Sequence, residues 1–335
     1  MMRDTLRARC ELFIENREVV KKAFPMENSC FYPVCAMLFT EQNKAADLEA
    51  LKECRAILKK KTGAFSSFRG TAISSIITML AIDNDPESRL EKAMSLHKDL
   101  RKHFYSSEYL PVAAMMLSDI VAPENNAEVS CRAGKIYGLM KSEHPFLTSS
   151  EDSVFAIMLA LSSLSDDEVI RETEECYVKL KERFKSRNAV QSLSHVLALY
   201  NDSAYTASDR CRNTIALYDA LREKGIKYGT EYELATLGTL AMLDCSIDET
   251  VADLEEVDDF LSNQSGYGFF GATKKERLTH AAMIVVSERS DNTRAMNATA
   301  IGNVISMVAA HQAATCAVIM AASAAAPAAA SASRS

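Results

Sequence analysis

The chain has 335 residues, 48% hydrophobic and 25% charged, with a formal net charge of -7. That acidity excludes a protein whose task is to neutralise a nucleic-acid backbone, and the apolar content is enough for a large buried core. With only 11 glycines and 7 prolines, breakers are scarce and the composition favours helix.

The first residues, "MMRDTLRARCELF" (1–13), carry charges throughout and lack the apolar stretch of a secretory leader, so none is expected. Nine cysteines follow: Cys10, Cys30, Cys35, Cys54, Cys131, Cys176, Cys211, Cys245 and Cys316. No two of them form a C-x-x-C pair, and most lie beside Ala and Leu on apolar stripes. Scattered in this way they predict buried thiols in a reducing compartment, the cytoplasm, rather than a disulfide framework or a zinc site.

One apolar pattern returns along the chain. It reads "VCAMLF" (34–39), "IITMLA" (76–81), "AAMMLS" (113–118), "AIMLA" (156–160), "SHVLA" (194–198), "LGTLA" (237–241) and "AAMIV" (281–285). With Leu38, Leu80, Leu117, Leu159, Leu197, Leu240 and Ile284 as markers, the spacings are 42, 37, 42, 38, 43 and 44 residues. Cys35, Ile77, Ala114, Ala156, Ser194, Leu237 and Ala281 stand three places before the markers. Phe39, Ala81, Ser118, Ala160, Ala198, Ala241 and Val285 stand one place after. Positions four apart share a helix face, so these mostly small columns predict a smooth ridge for close helix packing.

Each apolar helix is preceded by a more charged amphipathic one that ends on a basic signature, as in "ILKKK" (57–61), "DLRKH" (99–103), "KLKER" (179–183) and "ALREK" (220–224). Ser165 with Glu168 and Ser246 with Glu249 spell capping boxes, and Asp85 before Pro86 spells another helix start. Between the two helices of a unit comes an aromatic: Phe65, Tyr105, Phe146, Phe184, Tyr228 or Phe269. Each is expected to plug its turn. The reading is all-α, with about seven antiparallel hairpins of ~40 residues stacked over residues 1–290 into an α/α superhelix or toroid.

The end of the chain differs. No Asp, Glu, Lys or Arg lies between Arg294 and Arg334. Ile301, Val304, Ile305 and Val308 recur at helical spacing, which predicts an apolar helix over 291–325 packed on or in the array, with self-association as a further use. Residues 326–335 are expected to fray. The stretch is mostly alanine, interrupted by Pro327, and lacks upstream basic flanks, so a membrane anchor is not expected.

No constellation of chemistry stands out, and no catalytic, cofactor-binding or metal-ligating residue is assigned. "GYGFFG" (266–271) satisfies G-x-G-x-x-G, yet "VADLEEVDDFLSN" before it reads as a helix, whereas the dinucleotide fingerprint follows a strand. His97, His103, His144, His195, His280 and His311 make no zinc-binding pair. "DNDPES" (83–88) lacks the glycine and late glutamate of a calcium loop. The carboxylates of "EEVDDF" (255–260) read as a solvated face.

With the sevenfold pattern, the "GYGFFG" turn and the Ala-rich end in view, the whole chain resembles the bacterial domain-of-unknown-function family 4003. The resemblance implies a helical cytoplasmic protein with no assigned activity. In architecture it is also similar to the α/α toroids of prenyltransferases and terpene cyclases, although it lacks their Asp-rich and zinc motifs. The function expected is a non-catalytic scaffold that binds a protein or peptide on its concave face. The alternative is a small-molecule or lipid-binding protein, or an enzyme, with an apolar lumen.

Overall fold

The computed structural model describes residues 2–201, 205–268 and 271–290. Among them are fourteen α-helices and no strand. The expected C-terminal helix (291–325) and tail (326–335) lie outside the described residues, as do Phe269, His311 and Cys316.

The helices alternate in character. The odd-numbered ones are α1 (Asp4–Ala23), α3 (Leu48–Lys61), α5 (Pro86–Leu100), α7 (Asn126–Glu143), α9 (Asp166–Leu180), α11 (Ala207–Glu223) and α13 (Ile247–Ser262). They are amphipathic: α5 buries Leu90, Ala93, Leu96 and Leu100, one stripe at helical spacing. The even-numbered ones are α2 (Tyr32–Glu41), α4 (Ile73–Ala81), α6 (Tyr109–Leu117), α8 (Ser153–Leu159), α10 (Arg187–Leu199), α12 (Leu234–Ala241) and α14 (Lys274–Ser290). These are the core. Every residue of α2 from Tyr32 to Thr40 is buried, and so is every residue of α12 from Leu234 to Leu240. All seven sequence markers fall on even helices and are buried.

Each odd helix packs on the even helix that follows it. Even helices touch even helices (α2–α4–α6–α8–α10–α12–α14) and odd touch odd (α1–α3–α5–α7–α9–α11–α13). The last helices also meet the first, with α14 against α1 and α2, and α13 against α1. At that junction Arg3 Nη1 lies 2.6 Å from Glu288 Oε1 and Arg3 Nη2 lies 2.8 Å from Asp253 Oδ2. The Thr5 hydroxyl donates to Glu288 and Arg289 pairs with Asp253. Burial pushes the Glu288 carboxyl up, but the hydrogen bonds from Arg3 and Thr5 outweigh it and hold the group below its usual value. Close approach between even helices is seen at Gly238 of α12, outside the two small columns: a Cβ there would stand 2.5 Å from Leu193 Cδ1 of α10.

Neighbouring odd helices run parallel, because contacts between them advance together. Along α5 and α7, Ser95 meets Asn126 and, further on, Phe104 meets Tyr137, and the separation of about 30 residues recurs in Lys61 with Glu91 and His144 with Glu174. The odd-to-even connections therefore line one edge of the molecule, where Asn188 bonds Glu151 and Lys275 bonds Glu231 between successive turns. The even-to-odd connections line the other edge, where Lys44 Nζ donates to the Ile82 carbonyl.

The start signals stand as read. Ser165 with Glu168 and Ser246 with Glu249 form reciprocal capping boxes, and Asp85 caps α5. A further box, Thr206 with Asp209, starts α11.

The turn aromatics differ from expectation. Phe184 and Tyr228 are buried, but Phe65, Tyr105 and Phe146 are almost wholly exposed. Their turns are plugged by another group. Phe68 packs edge-on against His97 at 5.1 Å, Phe104 against Tyr137 at 5.3 Å, and the His144 ring lies 4.3 Å from Tyr177. Each turn has room for one inward ring, and the next helix supplies the ring it meets. The thiols also divide: Cys10, Cys35, Cys54, Cys176 and Cys211 are buried, whereas Cys131 is exposed.

Burial sorts the consequences of truncation. Leu80→Ala should cost about 3 kcal/mol, because the side chain is wholly buried between helices. Phe65→Ser should change stability by less than about 0.5 kcal/mol. Urea unfolding followed by circular dichroism measures both.

Candidate functional site

Two places in the molecule carry more than packing explains: a sealed polar centre, and the edge formed by the odd-to-even turns.

The polar centre is built where the turn before α8 meets α10. Ser149 and Asp152 close a capping box around a 3-10 turn, so Asp152 Oδ2 accepts the Ser149 backbone N–H at 2.8 Å. Its other oxygen, Oδ1, points at His195 Nδ1 from 3.6 Å, beyond hydrogen-bond reach. Gln191, one turn before His195, donates its amide to Thr148 Oγ1 at 2.8 Å, and the Thr148 hydroxyl donates to the Met140 carbonyl. Asp152 Oδ1, His195 Nδ1 and Gln191 Oε1 have no hydrogen-bond partner. Phe155 walls the site, its ring centroid 5.6 Å from that of His195.

Electrostatics there favour neutral groups. Burial pushes the Asp152 carboxyl up to about 7, against the hydrogen bond from Ser149 that lowers it. Burial, helped by the nearby His144, pushes the His195 imidazole down to about 3. A neutral acid therefore faces a neutral imidazole, since an ion pair at this separation would not repay the desolvation of both charges. Asp152 and His195 are 1% and 2% exposed, so the pair is shut off from solvent. It offers no approach to a substrate.

The other residues weighed from sequence take structural roles. The "GYGFFG" stretch follows the helix α13, not a strand. Gly266 adopts φ 84°, a left-handed turn over which Arg17 donates to the Ser265 carbonyl. The Arg17 guanidinium sits 4.8 Å from the centre of the buried Tyr267 ring, and the Tyr267 hydroxyl is 2.9 Å from His280 Nδ1. Burial pushes His280 down to about 3. His97 is likewise pushed down to about 4 by burial and by Arg101, and His144 sits 2.8 Å from Glu174. In the acidic run, Asp258 pairs with Arg277, and Glu256 and Asp259 line an open hollow of about 380 Å3 with Met2 and Arg7. No group of three or more His, Cys, Asp or Glu among the described residues could hold a metal ion. None of the described helices is long and apolar enough to cross a membrane.

The turn edge is the second place. Met26, Phe65, Tyr105 and Phe146 are each more than nine-tenths exposed. They occupy corresponding places after α1, α3, α5 and α7, separated by 39, 40 and 41 residues. Sequence reading singled out three of these but pointed them inward, and it missed Met26, which is not aromatic. The signal that separates them was present: Phe104 directly precedes Tyr105, and Phe68 follows Phe65, so each of these turns holds two rings.

Charge is ordered along the same axis. Six of the seven odd helices carry basic last turns, such as Lys21 and Lys22 in α1 and Lys59, Lys60 and Lys61 in α3, and only α13 has none. The even helices α2, α4, α6, α10 and α12, which start at this edge, bring no acidic residue in their first turns. Acidic caps gather at the far edge: Asp47, Asp85, Asp166, Asp167, Asp209 and Asp248. The molecule has an overall negative charge but a basic edge studded with apolar tips.

The polar centre makes a pH signature. An unfolded Asp152 ionises near 4, whereas the folded one stays protonated until about pH 7, so the site loses stability as pH rises across that window. Asp152→Asn removes the ionisation. Its stability relative to the parent should rise by on the order of 2 kcal/mol between pH 4.5 and 7, measured by urea unfolding at both values. A constant difference would mean that Asp152 titrates normally.

The chain is 21% identical over 280 residues to an uncharacterized protein, YeaA, of Bacillus subtilis (strain 168), which covers 82% of each chain. No solved structure matches. Residues 16–313 match the family described as "Protein of unknown function (DUF4003)", and the chain belongs to that family.

Proposed function

We propose that the chain is a non-catalytic scaffold: seven helical hairpins closed into an α/α toroid that presents its turn edge to a partner. The contacts of α14 with α1 and α2, together with the Arg3 ion pairs, support closure. The eight free thiols among the described residues fit a reducing cytoplasm.

The observation that carries the binding reading is the row formed by Met26, Phe65, Tyr105 and Phe146. Large apolar side chains fully in water, repeated from unit to unit, contribute nothing to the core, and an ordered exposed row of them marks an interaction surface. The even helices are buried along their length, which supports putting the partner at the exposed edge rather than on the concave face expected from sequence. The second reading, an enzyme or small-molecule binder with an internal site, rests on Asp152 and His195 alone. Their burial weighs against it.

Site-specific photo-crosslinking in cells tests the scaffold. A benzophenone side chain at position 65, 105 or 146 should give adducts, to protein or to lipid, and one at the exposed Asn84 on the far edge should give none. Equal, diffuse labelling from both edges would remove the edge as a binding surface.

A further inference from the structure

We infer that the partner of the turn edge is the surface of an anionic lipid bilayer. The inference rests on the scaffold reading and names the class of partner.

Three features of the edge fit a bilayer better than a protein. The first is shape. Each tip projects from the end of its own turn and is almost wholly exposed, so no pocket or groove surrounds it. A protein partner needs a contiguous, complementary patch, whereas the headgroup region accepts separate projecting side chains. At the usual helix-packing distance of about 10 Å, four successive units set the tips in a row of roughly 30 Å. The second is chemistry. Tyr is concentrated at membrane interfaces, and Phe serves on the apolar faces that surface-bound helices sink into the headgroup boundary.

The third is charge. Lys21, Lys22, Lys59, Lys60, Lys185 and Lys227 are exposed on this edge, while the whole chain carries -7. Glu143, Glu151, Glu182, Glu223 and Glu231 stand among them, but Lys102, Lys141, Arg183 and Lys224 are exposed there too, so the basic residues remain the more numerous. Because the acidic caps sit at the opposite edge, the molecule is polarised, and a negative surface would orient it with the tips inward. Each basic side chain near an anionic surface adds attraction that salt screens, and the tips add an apolar part that salt leaves in place.

The chain contains no tryptophan, so Phe65→Trp provides a single reporter at a tip. The full chain is mixed with vesicles of phosphatidylglycerol and phosphatidylethanolamine in equal parts, and separately with pure phosphatidylcholine. Tryptophan emission should shift to the blue only with the anionic vesicles. Co-sedimentation with them should weaken about tenfold between 0.05 and 0.5 M salt. The triple variant Phe65→Ser/Tyr105→Ser/Phe146→Ser should bind about a hundredfold less well, with unchanged circular dichroism and Tm. Binding by the triple variant at parental strength would place any membrane contact elsewhere in the chain and overturn the inference. So would unshifted emission, or failure to sediment with either vesicle. Were the blue shift to appear without vesicles and track protein concentration, the edge would be an interface between copies, and the inference would also fall. Discrete protein adducts from position 65 together with no vesicle binding would overturn the bilayer and leave the scaffold standing.

Discussion

The contact on which the arrangement depends is the one between a turn and the next odd helix. A single pair of helices leaves the face of its even helix bare, so the pairs must stand side by side, and a lateral contact must fix how they stand. That contact is a ring, or a cation, met by the neighbouring helix: Arg55 over Phe24, His97 on Phe68, Tyr137 on Phe104, Tyr177 beside His144, and Tyr218 on Phe184. Rings prefer edge-on and tilted geometries at 4.5–7 Å, which leaves little freedom to slide. Once register is fixed in this way, neighbouring odd helices are parallel, and their dipoles and terminal charges add along one axis. The basic edge follows from the packing.

The far edge has a complementary problem. Even helices end at this edge, and their last carbonyls lack intrahelical donors. Arginines placed early in odd helices supply them. Arg9 donates to the Thr40 carbonyl, Arg89 to that of Met79, Arg132 to those of Ala160 and Ser162, and Arg210 to those of Tyr200 and Tyr205. A guanidinium carries five donors in a fixed fork, so one side chain can serve several carbonyls and still pair with an acid, as Arg132 does with Asp166. These arginines replace the glycine C-caps that a glycine-poor chain cannot provide.

Helix content, the alternation of amphipathic and buried helices, and the capping boxes were legible in the sequence, because each is a local property with a fixed period. The box at Thr206 was missed because its fourth residue is Asp209, where the pattern sought was Glu. The arginine clamps and the Asp152–His195 pair were not legible, since each joins residues tens of positions apart whose meeting is set by tertiary packing. His195 looked like any histidine on an apolar helix. Asp152 looked like one carboxylate in a polar turn, and only its burial distinguishes it. The turn aromatics were found but pointed the wrong way. A pattern that says an aromatic belongs in the turn cannot choose between Phe65 and Phe68 without the position of His97.

The outward rings cannot be attributed to the needs of the fold, and the chain itself supplies the comparison. After α5 the buried Phe104 is followed by Tyr105, and after α9 the buried Phe184 is followed by Lys185. After α11 the buried Ile226 is followed by Lys227. The same place in the same kind of turn therefore accepts a charge with no loss of the inward plug. Where Met26, Phe65, Tyr105 and Phe146 stand instead, the apolar side chain gains no burial and adds to the exposed greasy surface that soluble chains keep small. A residue that is free to be lysine, and is a large hydrophobe in four consecutive units, is what the proposed binding edge calls for. The lysines of the remaining turns bear on the same surface from the side of charge, and the proposed bilayer, apolar within and negative at its face, would meet both halves of the edge.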